Sequence, residues 1–268
     1  MRRTFAGALS VLLFSGCVET TGGTLLAFTL VGGGDPLVVS GGPLTFTSPT
    51  LDGRKYQVTL TRARLHVGAV YLSQENPQNY TLESSCVQPG VYTGEVRGGL
   101  TLDVLDPTPQ PFPVAGVGTD RPTLSAELWL TGGDLLASTD RTVVLDVAGT
   151  ATLDTTDYPF EASVTISTNR LTPPRNSALP GSNPLCEKRI VAPVAFPGSL
   201  AEGATVSLLV DPRAFFSTVD FAVLERVSDS PPLYRFTDDA SSDRQPDKAL
   251  FSAFRASTGP FRFEVSTP

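Results

Sequence analysis

The chain has 268 residues, a formal net charge of −7 at pH 7, 24 glycines, 23 prolines and a single histidine. The acidic balance excludes general binding to a nucleic-acid backbone, which needs clustered Lys and Arg. One imidazole excludes the histidine-rich zinc and copper sites, and the glycine and proline load favours short strands joined by turns over long helices.

Arg2 and Arg3 precede an apolar run from Phe5 to Phe14, broken only by small residues and Ser10. A basic start followed by a short apolar run is the layout of a secretory signal. A permanent spanning helix needs roughly 20 apolar residues, and this run is much shorter. It ends in Phe14-Ser15-Gly16-Cys17, which resembles the lipobox of bacterial lipoproteins, with Phe14 where most members have Leu. The resemblance implies that residues 1–16 are a removed signal and that Cys17 carries the lipid, including the palmitate-type acyl chains of that family. Several chains on one residue anchor firmly where a single chain does not. Val18 stands where the family's inner-membrane retention signal has Asp, so the implied address is the outer membrane of the cell envelope. Residues 17–23 then form the lipidated cysteine and a polar tether, and residues 24–268 the body.

Outside the cytoplasm, the two remaining cysteines, Cys86 and Cys186, read first as a disulfide. Closing a loop of about 100 residues would contribute roughly 4–5 kcal/mol in the chain-entropy model.

Along the body, strand-like runs alternate with turn residues. Thr24–Val31 is followed by Gly32-Gly33-Gly34-Asp35-Pro36, and Leu37–Val39 and Leu44–Thr47 flank Gly41-Gly42-Pro43. Leu51-Asp52-Gly53-Arg54 is the strongest hairpin signal, because Asp-Gly tolerates the positive φ of tight turns. From Tyr56 to Leu72 a period of two is interrupted. Tyr56, Val58 and Leu60 are apolar, then the phase slips and Ala63, Leu65, Val67 and Ala69 take over. A slip of one residue predicts a β-bulge near Thr61 and Arg62. Further strands are expected at Val91–Val96, Leu100–Leu105, Leu124–Leu130, Thr142–Leu153, Phe160–Ser167, Val206–Val210, Phe221–Leu224 and Phe261–Val265. Asp106–Pro113, with four prolines, reads as a surface connection. Two short helices are predicted: Pro212–Phe216 after an Asp211-Pro212 start, and Pro246–Ala256 before Thr258-Gly259-Pro260. The fold class that follows is all-β, an antiparallel β-sandwich with long loops and one or two short helices.

The chemistry on offer is sparse. A Ser-His-Asp triad or a Cys-His dyad would have to run through His66, and no Gly-x-Ser-x-Gly elbow exists. Arg62, Arg64 and His66 recur every second residue and would line one strand face as a candidate anion-binding stripe. Asp238, Asp239, Asp243 and Asp247 are weak calcium candidates, since carboxylates suffice for that ion, but they lack the order of an EF-hand loop. Trp129, in Glu127-Leu128-Trp129-Leu130, reads as a core residue, with a sugar-stacking platform as the alternative. No cofactor is called for.

Val91-Tyr92-Thr93-Gly94-Glu95, Leu130-Thr131-Gly132-Gly133-Asp134 and Val210-Asp211-Pro212-Arg213 resemble stretches of uncharacterised bacterial lipoproteins, a likeness that carries no activity with it. The expectation is a membrane-anchored extracytoplasmic lipoprotein acting as a non-enzymatic binding or envelope-structural module. Its partners would be the membrane, through Cys17, and an envelope protein or glycan. The alternatives are a carboxylate-dependent polysaccharide hydrolase and a metal- or anion-binding periplasmic protein.

Overall fold

The computed structural model describes residues 22–76, 91–135, 140–166, 178, 190–238, 244–256 and 258–268. Cys17, Cys86 and Cys186 lie outside them. In chain order the strands are β1 (Leu25–Gly34), β2 (Leu44–Pro49), β3 (Lys55–Val67), β4 (Ala69–Ser73), β5 (Tyr92–Val96), β6 (Leu100–Asp103), β7 (Gln110–Pro111) and β8 (Gly116–Thr119). They continue as β9 (Ser125–Leu130), β10 (Asp140–Leu153), β11 (Thr156–Ile166), β12 (Ile190–Ala195), β13 (Thr205–Val210), β14 (Glu225–Asp229), β15 (Pro232–Arg235) and β16 (Phe261–Ser266). The α-helix α1 covers Gln245–Ala253. Among the described residues, no helix is long and apolar enough to cross a membrane.

The all-β expectation holds, and the strands sort into two sheets. The first runs β12-β9-β4-β5-β8-β1-β13-β16, with β7 also on β1; the second runs β14-β15-β11-β10-β3-β2, with β6 also on β3. Both are mixed rather than purely antiparallel, because β1 pairs with β13 and β11 with β15 in parallel. The first sheet curls nearly onto itself. Phe196, just past β12, meets Phe263 of β16 with ring centroids 5.5 Å apart. Inward side chains of both sheets form one core, including Phe28, Leu72 and Leu128 from the first and Val58, Leu65 and Val147 from the second.

The expected hairpin is present. β2 and β3 pair from Leu44↔Leu60 to Pro49↔Lys55, and Gly53 in the turn has φ +86. The expected bulge is also present. Gly149 of β10 pairs with Leu60 and Ala148 with Arg62, which leaves Thr61 as the extra residue. Tyr56, Val58 and Leu60 before it, and Ala63, Leu65 and Val67 after it, are all fully buried. The bulge is thus what lets both halves of the strand face the core.

The run to Leu72 is two strands, not one, because the chain changes sheets at Gly68. A Cβ there would sit 2.4 Å from Thr131 Oγ1 and 2.7 Å from the Thr131 carbonyl oxygen. Only glycine allows that backbone approach. Leu37–Val39 is a turn rather than a strand, held by Val38 and Val39 N–H groups donating to the Asp35 carbonyl and by Leu37 N–H donating to the Asp35 carboxylate.

Pro212–Phe216 is helical as expected, in the tighter 3-10 form, with the Asp211 side chain accepting from Arg213 N–H. Phe221–Val223, read as strand, is a second 3-10 turn capped by Asp220. Its phenylalanine joins Phe160, Phe216 and Phe236 in a buried aromatic group, with centroid separations from 5.0 Å upward.

Candidate functional site

Arg62, Arg64 and His66 do share the outward face of β3, since the residues between them are core. They are not a purely cationic stripe. Arg62 Nε donates to the Asp146 carboxylate at 3.0 Å, and Arg64 pairs in register with Asp146 on one side and Asp103 on the other. The alternation continues across the sheet. Glu161 of β11 receives Arg235 of β15, and Arg235 pairs in register with Glu225 of β14, which receives Arg244. Cations and acids therefore alternate across neighbouring strands.

His66 sits at the edge of this ladder. Its Nδ1 is 2.9 Å from Thr101 Oγ1, and its Nε2 is buried with no hydrogen-bond partner among the described residues. A Cβ added to Gly99 would lie 2.9 Å from that nitrogen, so the Gly99 backbone closes over the ring. Burial holds the imidazole below its usual pKa of 6.5, and the Asp140 carboxylate only partly offsets this.

Of the four aspartates considered for calcium, Asp239 and Asp243 lie outside the described residues. Asp238 accepts from Thr165 N–H and Oγ1 at 3.1 and 2.7 Å. Asp247, in the first turn of α1, accepts from Thr237 N–H at 2.7 Å. These two carboxylates are engaged in fastening β11 and α1 to the segment after β15. Among the described residues, no three His, Cys, Asp or Glu side chains group as metal ligands would.

A groove of about 390 Å³ runs over the outward face of the second sheet and contains Arg62, Asp146, Glu161, Glu225, Arg235 and Asp238. Its acids face arginines or hydroxyls: Asp146 meets Arg62, Glu161 meets Arg235, Glu225 meets Arg244 and Asp238 meets Thr165. A general acid in glycoside hydrolysis needs the opposite environment, an apolar one that keeps a carboxyl protonated.

The outward face of the first sheet carries different chemistry. Leu128 and Leu130 are fully buried in the core, so Trp129 between them points outward and stays partly exposed. This corrects the core reading. All three residues are apolar, and alternation alone cannot say which phase faces inward.

Beside Trp129, Tyr71 of β4 packs edge-to-face at 5.1 Å and 62°, and Tyr71 meets Tyr92 of β5 at 5.9 Å and 67°. Glu127 lies next to them, only 3 % exposed, and accepts from Trp129 Nε1 at 3.1 Å. Burial first, then the Glu127 carboxylate, pushes the Tyr92 phenol up to about 12. In register, Tyr71 stands between Glu127 of β9 and Glu95 of β5. No family model, curated protein or solved structure matches this chain. The reading of this face therefore rests on its own chemistry.

Sequence inspection singled out Trp129 but not its neighbours. Tyr71, Tyr92, Glu95 and Glu127 are scattered over almost sixty residues, and only the pairing of β5, β4 and β9 joins them. The one available signal was period two. Glu127 and Trp129 share a phase, as do Tyr71 and Ser73.

Proposed function

We propose that this chain is an exported lipoprotein, held at the outer membrane by lipid on Cys17, whose β-rich body is a non-enzymatic binding module. The basic pair, the short apolar run and the Ser15-Gly16-Cys17 ending support the address. The two sheets with their shared core are in keeping with a sandwich-like body, tied in an oxidising compartment by a Cys86–Cys186 disulfide. The single observation that carries the binding role is the aromatic patch. The only tryptophan of the chain and two tyrosines stand on an outward sheet face around a nearly inaccessible glutamate. The three rings are partly buried on that face rather than packed in the core, and large aromatics so placed are enriched at recognition surfaces.

The hydrolase alternative would use the carboxylates of the 390 Å³ groove, but Asp146 and Glu161 there are matched by arginines. An anion-binding role for Arg62, Arg64 and His66 is opposed by Asp146 and Asp103, which neighbour the two arginines. Two measurements test the proposal. Mass spectrometry of the native product is expected to find acylated Cys17 at the amino terminus. Trp129 emission, free of interference from any other tryptophan, is expected to respond saturably to a soluble component of the envelope, without turnover of that component. An unacylated, intact amino terminus removes the anchor, and release of product from an envelope polysaccharide removes the non-enzymatic reading.

A further inference from the structure

We infer that the outward face of β8, β1 and β13 is the surface the body lays against the bilayer when lipid on Cys17 anchors it. This rests on the lipoprotein reading and adds an orientation to it. Chain length is the first argument. Five residue steps separate Cys17 from Gly22, the first described residue, and in any conformation they span at most about 18 Å. A compact body of this size has a radius of gyration of about 18 Å, so the tether is shorter than half the body's width.

The second argument is that the chain is clamped where it enters the body. Thr24 N–H donates to Asp120 Oδ1 at 2.9 Å, and Asp120 N–H donates back to the Thr24 carbonyl at 3.2 Å. Ala27 N–H donates to Glu202 Oε2 at 2.8 Å. A Cβ on Gly22 would lie 2.8 Å from Arg121 Nη2, so this arginine rests over the entry. The start of β1 is therefore held nearest the lipid, with no loose hinge at Thr24.

The third argument is what that part of the body presents. β1, β8 and β13 contain no Asp, Glu, Lys or Arg, whereas a water-facing surface carries about 25–35 % of them. Leu26, Phe28 and Leu30 are core, which turns Leu25, Ala27 and Thr29 outward, all exposed. Val117 pairs in register with Ala27 and stands diagonal to Leu25 on the same face; Val117 is 48 % and Leu25 52 % exposed. On the other side of β1, Thr205 pairs with Thr29 and Ser207 with Val31, which extends the face with hydroxyls instead of charges. Charged side chains return at its borders, Glu95 on β5 and Arg262 and Glu264 on β16. Leucine and valine among small hydroxyl residues suit the headgroup boundary, where apolar side chains bury and hydroxyls stay hydrogen-bonded. The anchor makes this contact intramolecular, so a modest patch suffices.

The test uses the full chain in vesicles of phosphatidylethanolamine and phosphatidylglycerol, with and without phosphatidylcholine brominated on its acyl chains, a short-range quencher of tryptophan. Val117→Trp and, separately, Leu25→Trp are made in a Trp129→Phe background. Val227→Trp, on β14 of the second sheet, is the control, and all three sites are exposed. The expected result is quenching of at least about two-fold at positions 25 and 117 and none at 227. Adding Leu25→Asp to Val117→Trp is expected to remove most of that quenching. Should the Trp129→Phe background not fold, the same substitutions with Trp129 retained are read as added quenchable emission. Mass spectrometry of the same sample separates the two readings. Acylated Cys17 without quenching at either position overturns the docking face and leaves the anchor, whereas an unacylated chain overturns both. Equal quenching at all three positions also overturns the docking face. A dimer in detergent that Val117→Asp dissolves assigns the face to a second copy of the chain and overturns it likewise.

Discussion

Replacing Tyr56 by phenylalanine probes the network that ties β3 to the layer containing both 3-10 turns and α1. Tyr56 is fully buried, and its hydroxyl donates to Asp220 Oδ1 at 2.6 Å while accepting from Ala222 N–H at 3.1 Å. Arg54 donates to the other Asp220 oxygen at 2.6 Å, and Asp220 N–H donates to Gln245 Oε1 at 2.9 Å. The substitution keeps the ring and its edge contacts with Phe221 and Tyr158 at 5.2 and 6.0 Å, so no cavity term arises. Ala222 N–H keeps a second acceptor, Asp220 Oδ1, at 3.3 Å and is not orphaned. What is lost is one hydrogen bond to a carboxylate, about 1.5–3 kcal/mol net. At roughly 2–4 °C per kcal/mol for a chain of this size, the melting temperature should fall by about 3–12 °C.

Asp220→Ala should cost more, because it strands the Tyr56 hydroxyl in the core. In that background Tyr56→Phe should cost close to nothing. Denaturant unfolding of the four proteins closes the cycle. A Tyr56→Phe effect below about 0.5 kcal/mol, or additive effects of the two substitutions, refutes the network as described. The phenol adds a pH signature. Burial and the Asp220 carboxylate raise it well above its usual 10.0. Above about pH 10 the unfolded state loses a proton that the native state retains, so this contribution to stability falls as pH rises, and the phenylalanine variant lacks that component.

Three further outcomes are expected. Deleting Thr61 removes the bulge while leaving Leu60 and Ala63 inward on either side of Arg62, so the variant should fold and give a native-like circular dichroism spectrum. Deleting Thr59 instead turns Tyr56 and Val58 outward and should abolish soluble expression; similar behaviour of the two deletions would contradict the register. Gly68→Ala should destabilise by about 1–3 kcal/mol in denaturant melts, because its Cβ meets the Thr131 backbone carbonyl, which cannot move aside as a side-chain tip can. His66, held below 6.5 by burial, takes up its proton more readily when unfolded, so its contribution to stability is present at neutral pH and lost as pH falls below about 6.5. His66→Gln should flatten the melting-temperature profile between pH 7.5 and 5.5, and an unchanged profile would show that the imidazole does not carry it.

Several elements missed in the sequence share a physical cause. β12 reads Ile-Val-Ala-Pro-Val-Ala, with no alternation and a proline inside, which argues against a central strand. It is an edge strand, where a missing N–H is tolerated. β8, Gly-Val-Gly-Thr, has glycines where inward side chains would signal a face, because the Phe28 ring fills the space above Gly116. Phe221–Val223 has strand composition, yet Asp220 caps it and Tyr56 covers it, and packing decides between the two conformations.

By itself the sequence determined the β-rich class, the Asp52-Gly53 hairpin, the Asp211-Pro212 start and the bulge at Thr61, because period, turn residues and caps are local properties of the chain. Tertiary structure alone decided that Arg62 and Arg64 face Asp146 and Asp103, and that Trp129 turns away from the core to meet Tyr71 and Glu127. Those partners come from strands far apart in the chain, and neighbourhood across a sheet depends on strand order and register, which no short window of residues encodes.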